Sequence, residues 1–385
     1  MSNTIGGLFL IGLVLLTANS QEQQAVEKPV RPKPANSFEE IDRYLQAQVD
    51  TAKASPVAGI ALAIVEGQRL VHAQAFGVSS LATKQTLQAE HNFHIASISK
   101  TFAAAAILQL MEQGKLDIEQ KLVTYLPYFK LADKRYRDIT LKQILNHTSG
   151  MPDVEDYQWE QAVSDEGAAE RWTRSLTKKK LRAAPGKEFY YSNLAYDVLA
   201  DVVAKVSGTS FEHYVKENLL APLQMHTSSF LLSDISPALR TSPHSGIPLS
   251  VNRVYPYNRM HAASSTMNSN VVDLSHWIMA NLNKGVYQDK QVLSPQSIAL
   301  MQTPSFTVDV KANRRIGLNW FIVAYQGETL LHHDGADEGY VSTLYLVPSR
   351  NIGFVLLFNS DEVNSYAITE HILQQLLARY PKNQH

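Results

Sequence analysis

At 385 residues, 45% hydrophobic and 18% charged, the chain has the composition of a globular protein with room for one large domain or two medium ones. Lys and Arg number 35 against 36 Asp and Glu, a balance that argues against nucleic acid or an anionic membrane surface as a partner. Cysteine is absent, which excludes disulfides, a thiol nucleophile and a lipid-modified cysteine.

The first twenty residues carry no charged side chain, and the apolar run Leu8 to Leu16 is too short to span a bilayer stably. With the small residues Ala18-Asn19-Ser20 behind it, the run reads as a signal peptide over residues 1–20. The segment lacks the usual Lys or Arg, so an uncleaved N-terminal anchor is the alternative. Either way the expected location is outside the cytoplasm, periplasmic or secreted, with no stable membrane span in the mature protein. Residues 21–36 form a polar, proline-rich leader, and the folded domain is expected over 37–385.

Ser37 and Glu40 have the spacing of a capping box, and Ile41, Tyr44, Leu45 and Val49 follow at helical spacing. Gly59 to Val65 and Leu70 to Val78, joined by Glu66-Gly67-Gln68, predict a hairpin. An Ala- and Leu-rich helix over 102–113 ends at Gly114 and places Ser97 to Lys100 at its first turn. The middle of the chain, about 116–311, reads as helices and long loops, with helical periodicity strongest over 194–206 and 274–282. Strand-like runs return at 317–324, 329–333, 341–347 and 353–358, and a helix over 365–379 closes the chain. Strands at both ends around a helical middle predict an α+β fold. One antiparallel sheet is built from about 37–115 and 312–385, flanked by helices.

Ser97-Ile98-Ser99-Lys100 has the form S-x-x-K, and on a helix that spacing puts hydroxyl and ammonium on one face. A serine needs a base to take its proton, and a lysine serves only when burial or nearby charge lowers its pKa. Backbone N–H groups at a helix start can stabilise the oxyanion formed on attack at a carbonyl. Two further triplets follow, Tyr191-Ser192-Asn193 and His333-Asp334-Gly335, the latter after an apolar strand.

With these three motifs in this order the chain resembles the penicillin-recognising serine hydrolases: class C β-lactamases, DD-peptidases and family VIII esterases. Their pattern is S-x-x-K, Y-x-N, then K-T-G or a variant such as H-x-G. The segments His94-Ile95-Ala96, 144–152 (ILNHTSGMP) and Pro222-Leu223-Gln224-Met225 extend the resemblance over nearly the whole chain after Ser37. It implies a β-lactamase/transpeptidase-like fold, Ser97 as nucleophile, and Lys100 and Tyr191 sharing the roles of base and acid. Asn193 would anchor the bound acyl group, and the N–H groups of Ser97 and Ala336 would form the oxyanion hole. His333, Asp334 and Gly335 would face the substrate. Because a phenol has a pKa near 10, Tyr191 would accept a proton only if a cation such as Lys100 lowered it.

The third motif departs from the pattern, with His333 where lysine stands and Asp334 where threonine or serine stands. A carboxylate at about 4 Å from a substrate carboxylate costs ~1 kcal/mol or more at surface dielectric. Asp334 is therefore expected to favour neutral or amine-bearing substrates, and a peptidase or esterase ranks above a lactamase. A class C-like β-lactamase and a noncatalytic sensor of the same fold stay open as alternatives. The substrate is expected to be a small molecule or peptide whose cleft is lined by 151–172 and 242–261. The oligomeric state is not legible. His91 and His94 form an H-x-x-H without a third ligand at motif spacing, and His332 and His333 alternate on a strand. No metal and no organic cofactor is expected. Lys178 to Lys180 with Arg182 read as a solvated helix end, and no G-x-S-x-G or P-loop is present.

Overall fold

The computed structural model describes residues 38–49 and 56–382, so the expected signal peptide and leader, and Ser37 of the expected capping box, lie outside the described residues. The first helix, α1 (Glu39–Gln48), has Phe38 at its N-cap without a side-chain cap. Glu39, Glu40 and Asp42 put negative charge against the first turn's free N–H groups.

The hairpin follows as β1 (Gly59–Glu66) and β2 (Arg69–Ser80), with the short edge strand β3 (Gln85–Thr86) beyond it. The remaining strands come from the other end of the chain. They are β4 (Phe306–Asp309), β5 (Arg314–Ile316), β6 (Phe321–Tyr325), β7 (Glu328–Asp337), β8 (Tyr340–Val347) and β9 (Ile352–Phe358). Together they make one nine-stranded antiparallel sheet in the order β4-β5-β6-β7-β8-β9-β1-β2-β3. The sheet resumes at Phe306, ahead of the expected boundary at 312, and Gly317 to Trp320 form a turn closed by the Gly317 N–H on the Trp320 carbonyl rather than a strand.

Both faces of the sheet are covered, which explains why β1 and β9 are apolar at nearly every position instead of alternating. Ile60, Leu62 and Ile64 of β1 join Phe354, Leu356 and Phe358 of β9 in an outer core with α1 and the last helix, α5 (Ser365–Arg379). Ala61, Ala63 and Val65 face the inner core, shared with α2 (Ser99–Glu112), α3 (Asn193–Ser207) and α4 (Val271–Leu282). Small inner residues let α4 lie close: a Cβ on Gly353 would sit 2.6 Å from Ile278 Cγ2. The middle of the chain carries α3, α4 and shorter helices, and its strands before β4 are two-residue ladders among the described residues.

Two boundaries differ from the sequence reading in ways that bear on the site. The α2 helix starts at Ser99, and Ala96 to Ile98 form a separate 3₁₀ turn, so Ser97 stands just ahead of the helix. The third motif is not a loop after a strand. Strand β7 continues through His333, Asp334, Gly335 and Ala336 to Asp337, paired with β8 throughout.

Candidate active site

Every residue from His91 to Leu110 is buried except Ser97, which is half-buried. Ala96, immediately before it, has φ of +46°, a left-handed conformation that β-carbon-bearing residues avoid. The carbonyl of Ile95 accepts from Ser342 Oγ of β8 at 2.8 Å, and the Ile95 N–H donates to the Met267 carbonyl. Gly335 lies directly against this turn. A Cβ there would come within 2.6 Å of the Ile95 oxygen and 2.8 Å of the Ser97 nitrogen, so the motif requires glycine for steric reasons.

Lys100 is fully buried on the first turn of α2, and its Nζ donates to Ser97 Oγ and to the Ser264 carbonyl, both at 2.7 Å. Burial draws its pKa down from 10.5 to about 8, against the pull of Asp337, Asp197 and Asp153. The Tyr191 hydroxyl shares a hydrogen bond with Ser97, and Nζ of Lys100 lies 5.1 Å from the Tyr191 ring centroid. Tyr191 is stacked on His147 at 4.1 Å, which gives the ILNHTSGMP segment a function in holding that ring. The expectation that Lys100 lowers the Tyr191 phenol is not met. Burial pushes the phenol well above its usual value, the Ser97 hydrogen bond opposes this only in part, and Asp153, Asp337 and Asp334 add to the rise.

Asn193 opens α3 behind the cap Ser192, whose Oγ accepts from the Ala195 N–H. Its backbone N–H donates to Asp153 Oδ1 at 2.7 Å, and its side-chain amide donates to Asp153 Oδ2 at 3.3 Å, so Asp153 holds the group expected to anchor an acyl chain.

His333 is buried, and its Nδ1 bonds the Asp334 carbonyl at 2.8 Å. A carbonyl only accepts, so Nδ1 carries the proton and Nε2 carries a lone pair. Burial and the nearby Lys100 lower the pKa of His333 to about 3, which keeps the ring neutral. Its Nε2 is buried without a partner. The lysine of K-T-G, a cationic donor, is thus replaced by a neutral acceptor.

Asp334 does not face Ser97. Its carboxylate bonds His332 Nδ1 at 3.0 Å, and His332 stacks on Tyr345 at 4.8 Å, on the sheet face that α5 covers. The repulsion expected of a carboxylate at this position is correspondingly weaker. Ala336 follows Gly335 in the strand, opposite Val341. A cavity of about 300 Å³ beside the triad is lined by Phe189, Tyr191, Arg314, Phe321, His333 and Asp334. Arg314 stacks its guanidinium on the Phe321 ring at 4.1 Å and forms no ion pair among the described residues.

Sequence reasoning missed the residues just beyond 261, which tie the first motif to the strand of the third. The Ser264 carbonyl receives Lys100, and Ser265 Oγ donates to Asp337 of β7. The same Asp337 carboxylate bonds His94 Nε2 at 2.7 Å, three residues before Ser97. His91 bonds Gln85 and the Gln88 N–H instead, so the H-x-x-H pair goes to separate partners. Only the long aromatic stretches 151–172 and 242–261 signalled this region in the sequence. In the structure Tyr157, Trp159 and Trp172 pack edge-on around His261, while Tyr255 packs edge-on against His94. Among the described residues no group of three or more His, Asp or Glu is placed to hold a metal ion, and no helix is long and apolar enough to cross a membrane.

A family model described as Beta-lactamase matches residues 41–379. The chain belongs to the Beta-lactamase family. Protein flp of Staphylococcus aureus (strain MW2) is 28% identical over 346 residues, which cover 86% of this chain but 66% of that protein, so the chain spans just under two thirds of this relative. The D-alanyl-D-alanine-carboxypeptidase/endopeptidase AmpH of Escherichia coli (strain K12) is 25% identical over 370 residues, 91% of each chain. Among solved structures, the octameric penicillin-binding protein homologue from Pyrococcus abyssi superposes with a TM-score of 0.76 at 24% identity, covering 90% of this chain and 78% of its own. A class C beta-lactamase gives 0.75 at 17% identity, covering 90% and 97%. These structures share the α+β fold that the strand and helix pattern predicts.

Proposed function

We propose that this Beta-lactamase family member is a serine hydrolase that cleaves amide or ester bonds through an acyl-enzyme on Ser97, with D-amino-acid-type peptides as the leading substrate class. The observation that carries the reading is the 2.7 Å contact between Lys100 Nζ and Ser97 Oγ at a lysine whose pKa burial brings to about 8. At pH 7 roughly a tenth of such lysines are neutral, against about 0.03% for an unperturbed one. Neutral Lys100 takes the Ser97 proton as Oγ attacks the carbonyl, and the N–H groups of Ser97 and Ala336 receive the oxyanion. Tyr191, kept protonated by burial, gives its proton to the departing amine or alkoxide and is reprotonated by the Lys100 ammonium. Water then attacks the ester, its proton passes to Lys100, and Ser97 regains its own as the acid leaves.

The neutral His333 presents an acceptor where penicillin recognition uses a cation, which favours a peptide or ester over a lactam. Arg314 supplies a cation at the same mouth, stacked on Phe321 with the Asp334 carboxylate in the same lining but turned to His332, and that suits a free C-terminal acid. AmpH, named as a D-alanyl-D-alanine-carboxypeptidase/endopeptidase, is similar over 91% of both chains and points the same way. Export to the periplasm or secretion, through a signal over residues 1–20, belongs to the same proposal.

The test is intact mass of the parent and of Ser97→Ala after exposure to an activated ester, a D-alanyl-D-alanine peptide and a penicillin. The parent should gain an acyl mass that Ser97→Ala does not, and should turn over ester and peptide continuously. One burst of product followed by a stall would instead make the protein a sensor, and no labelling beside a labelled control hydrolase would end the covalent reading.

A further inference from the structure

A further histidine–carboxylate pair lies wholly inside the molecule, apart from the three motifs. Asp197 of α3 and His261 have no exposed surface, and His261 Nδ1 meets Asp197 Oδ2 at 2.7 Å. Tyr157 and Trp172 stand edge-on to the imidazole with centroids at 4.9 Å, and Trp159 at 5.8 Å. Asp197 Oδ1 and His261 Nε2 remain buried without partners. As a purely stabilising device this is poor, because an apolar pair of similar volume avoids the desolvation of a carboxylate with one partner.

The pair is placed for another purpose. The His261 carbonyl accepts from the Ser265 N–H at 3.0 Å and from Ser264, through N–H at 3.2 Å and Oγ at 3.3 Å. The next link is the Ser264 carbonyl, which receives Lys100 Nζ at 2.7 Å. Asp197 stands six residues after Tyr191 and beside Tyr196, whose ring centroid is 5.8 Å from the same Nζ. One contact therefore ties the helix that follows Tyr191-Ser192-Asn193 to the turn that holds Lys100.

We propose that Asp197 and His261 are positioning residues, fixing the Ser264 carbonyl on Lys100 and lending the charge of Asp197 to the ammonium state of the base. The inference rests on the acyl-enzyme reading. The groups facing Lys100 are Ser97, the Ser264 carbonyl and the Tyr191 and Tyr196 rings, with the carboxylates of Asp337, Asp197 and Asp153 and the neutral imidazoles of His147 and His333. Of the three carboxylates, Asp197 is the fully buried one. Removing its charge withdraws support from the ammonium, so Lys100 loses its proton at lower pH.

The experiment is kcat/KM for an activated ester from pH 5 to 10 in the parent, Ser97→Ala, Asp197→Asn and Asp197→Ser, with melting curves to verify folding. Parent turnover that Ser97→Ala abolishes is the reference, and its absence sinks the acyl-enzyme reading and this inference with it. Given that turnover, the ascending limb of either Asp197 variant should move to lower pH by about half a unit. Relative to its own plateau the rate well below the limb then rises about threefold. A uniform loss at every pH with the limb unmoved, or failure of both variants to fold, would make the pair structural and overturn the proposal.

Discussion

Lys100 is a costly residue to bury. An unfolded chain holds its proton up to 10.5 and the folded one only to about 8, so below pH 8 the group opposes folding by about 3 kcal/mol. The sign follows from linkage: between these values the unfolded state binds more protons, so stability rises with pH through this window. Lys100→Met should therefore lose turnover but raise the urea midpoint at pH 7, with the gain shrinking toward pH 10. An equal gain at both pH values would show that packing, not charge, is responsible. At this scale the sequence disclosed identities better than states. Ser97, Lys100 and Tyr191 were legible because their spacing is local or patterned. The tautomer of His333 depends on which carbonyl its Nδ1 meets, and the raised phenol of Tyr191 depends on burial, neither of which leaves a mark on residue order. Asp337, Ser264 and Asp197 were missed because each reaches the site from a distant part of the chain without motif spacing.

The turn before α2 is held rather than relaxed. Ala96 at φ +46° is fastened by the Ile95 bonds to β8 and Met267 on one side and by the α2 helix on the other. A left-handed alanine costs about 1–2 kcal/mol, and glycine at the same place costs more unfolded-state entropy but no strain. Ala96→Gly should stabilise the fold by roughly 0.5–1 kcal/mol, read as a higher midpoint in urea with the denaturant slope unchanged. A lower midpoint would mean that the Ala96 methyl packs well enough to outweigh its backbone. The elements themselves were legible where apolar period and turn residues agree, as in the β1–β2 hairpin, α3 and α5. They were not where tertiary pairing overrides local signals. The polar stretch Asp334 to Asp337 carries little β propensity, yet it continues β7 because β8 pairs with it through Tyr340 and Gly335 alone allows the approach to Ser97.

Across the whole molecule the sheet is assembled from opposite ends of the chain, with Ile60 of β1 paired to Phe358 of β9. The outline of that arrangement was readable from strands bracketing a helical middle, but the strand order was not, since the pairing of β1 with β9 is specified by two-sided burial rather than by any local turn. Deleting the chain from Ile352 onward should abolish soluble expression, whereas deleting the residues after Pro381 should not, as judged by the soluble fraction. Soluble, cooperatively melting protein after deletion from Ile352 onward would show that the sheet does not need the strand joining its two halves. The closure of this sheet also sets a clock on synthesis. At about 5–20 residues per second, β1 leaves the ribosome roughly 15–60 s before β9 exists. For that interval one of the most apolar strands in the protein has β2 on one edge and nothing on the other, so the nascent chain must be kept from pairing with its neighbours until its last strand emerges.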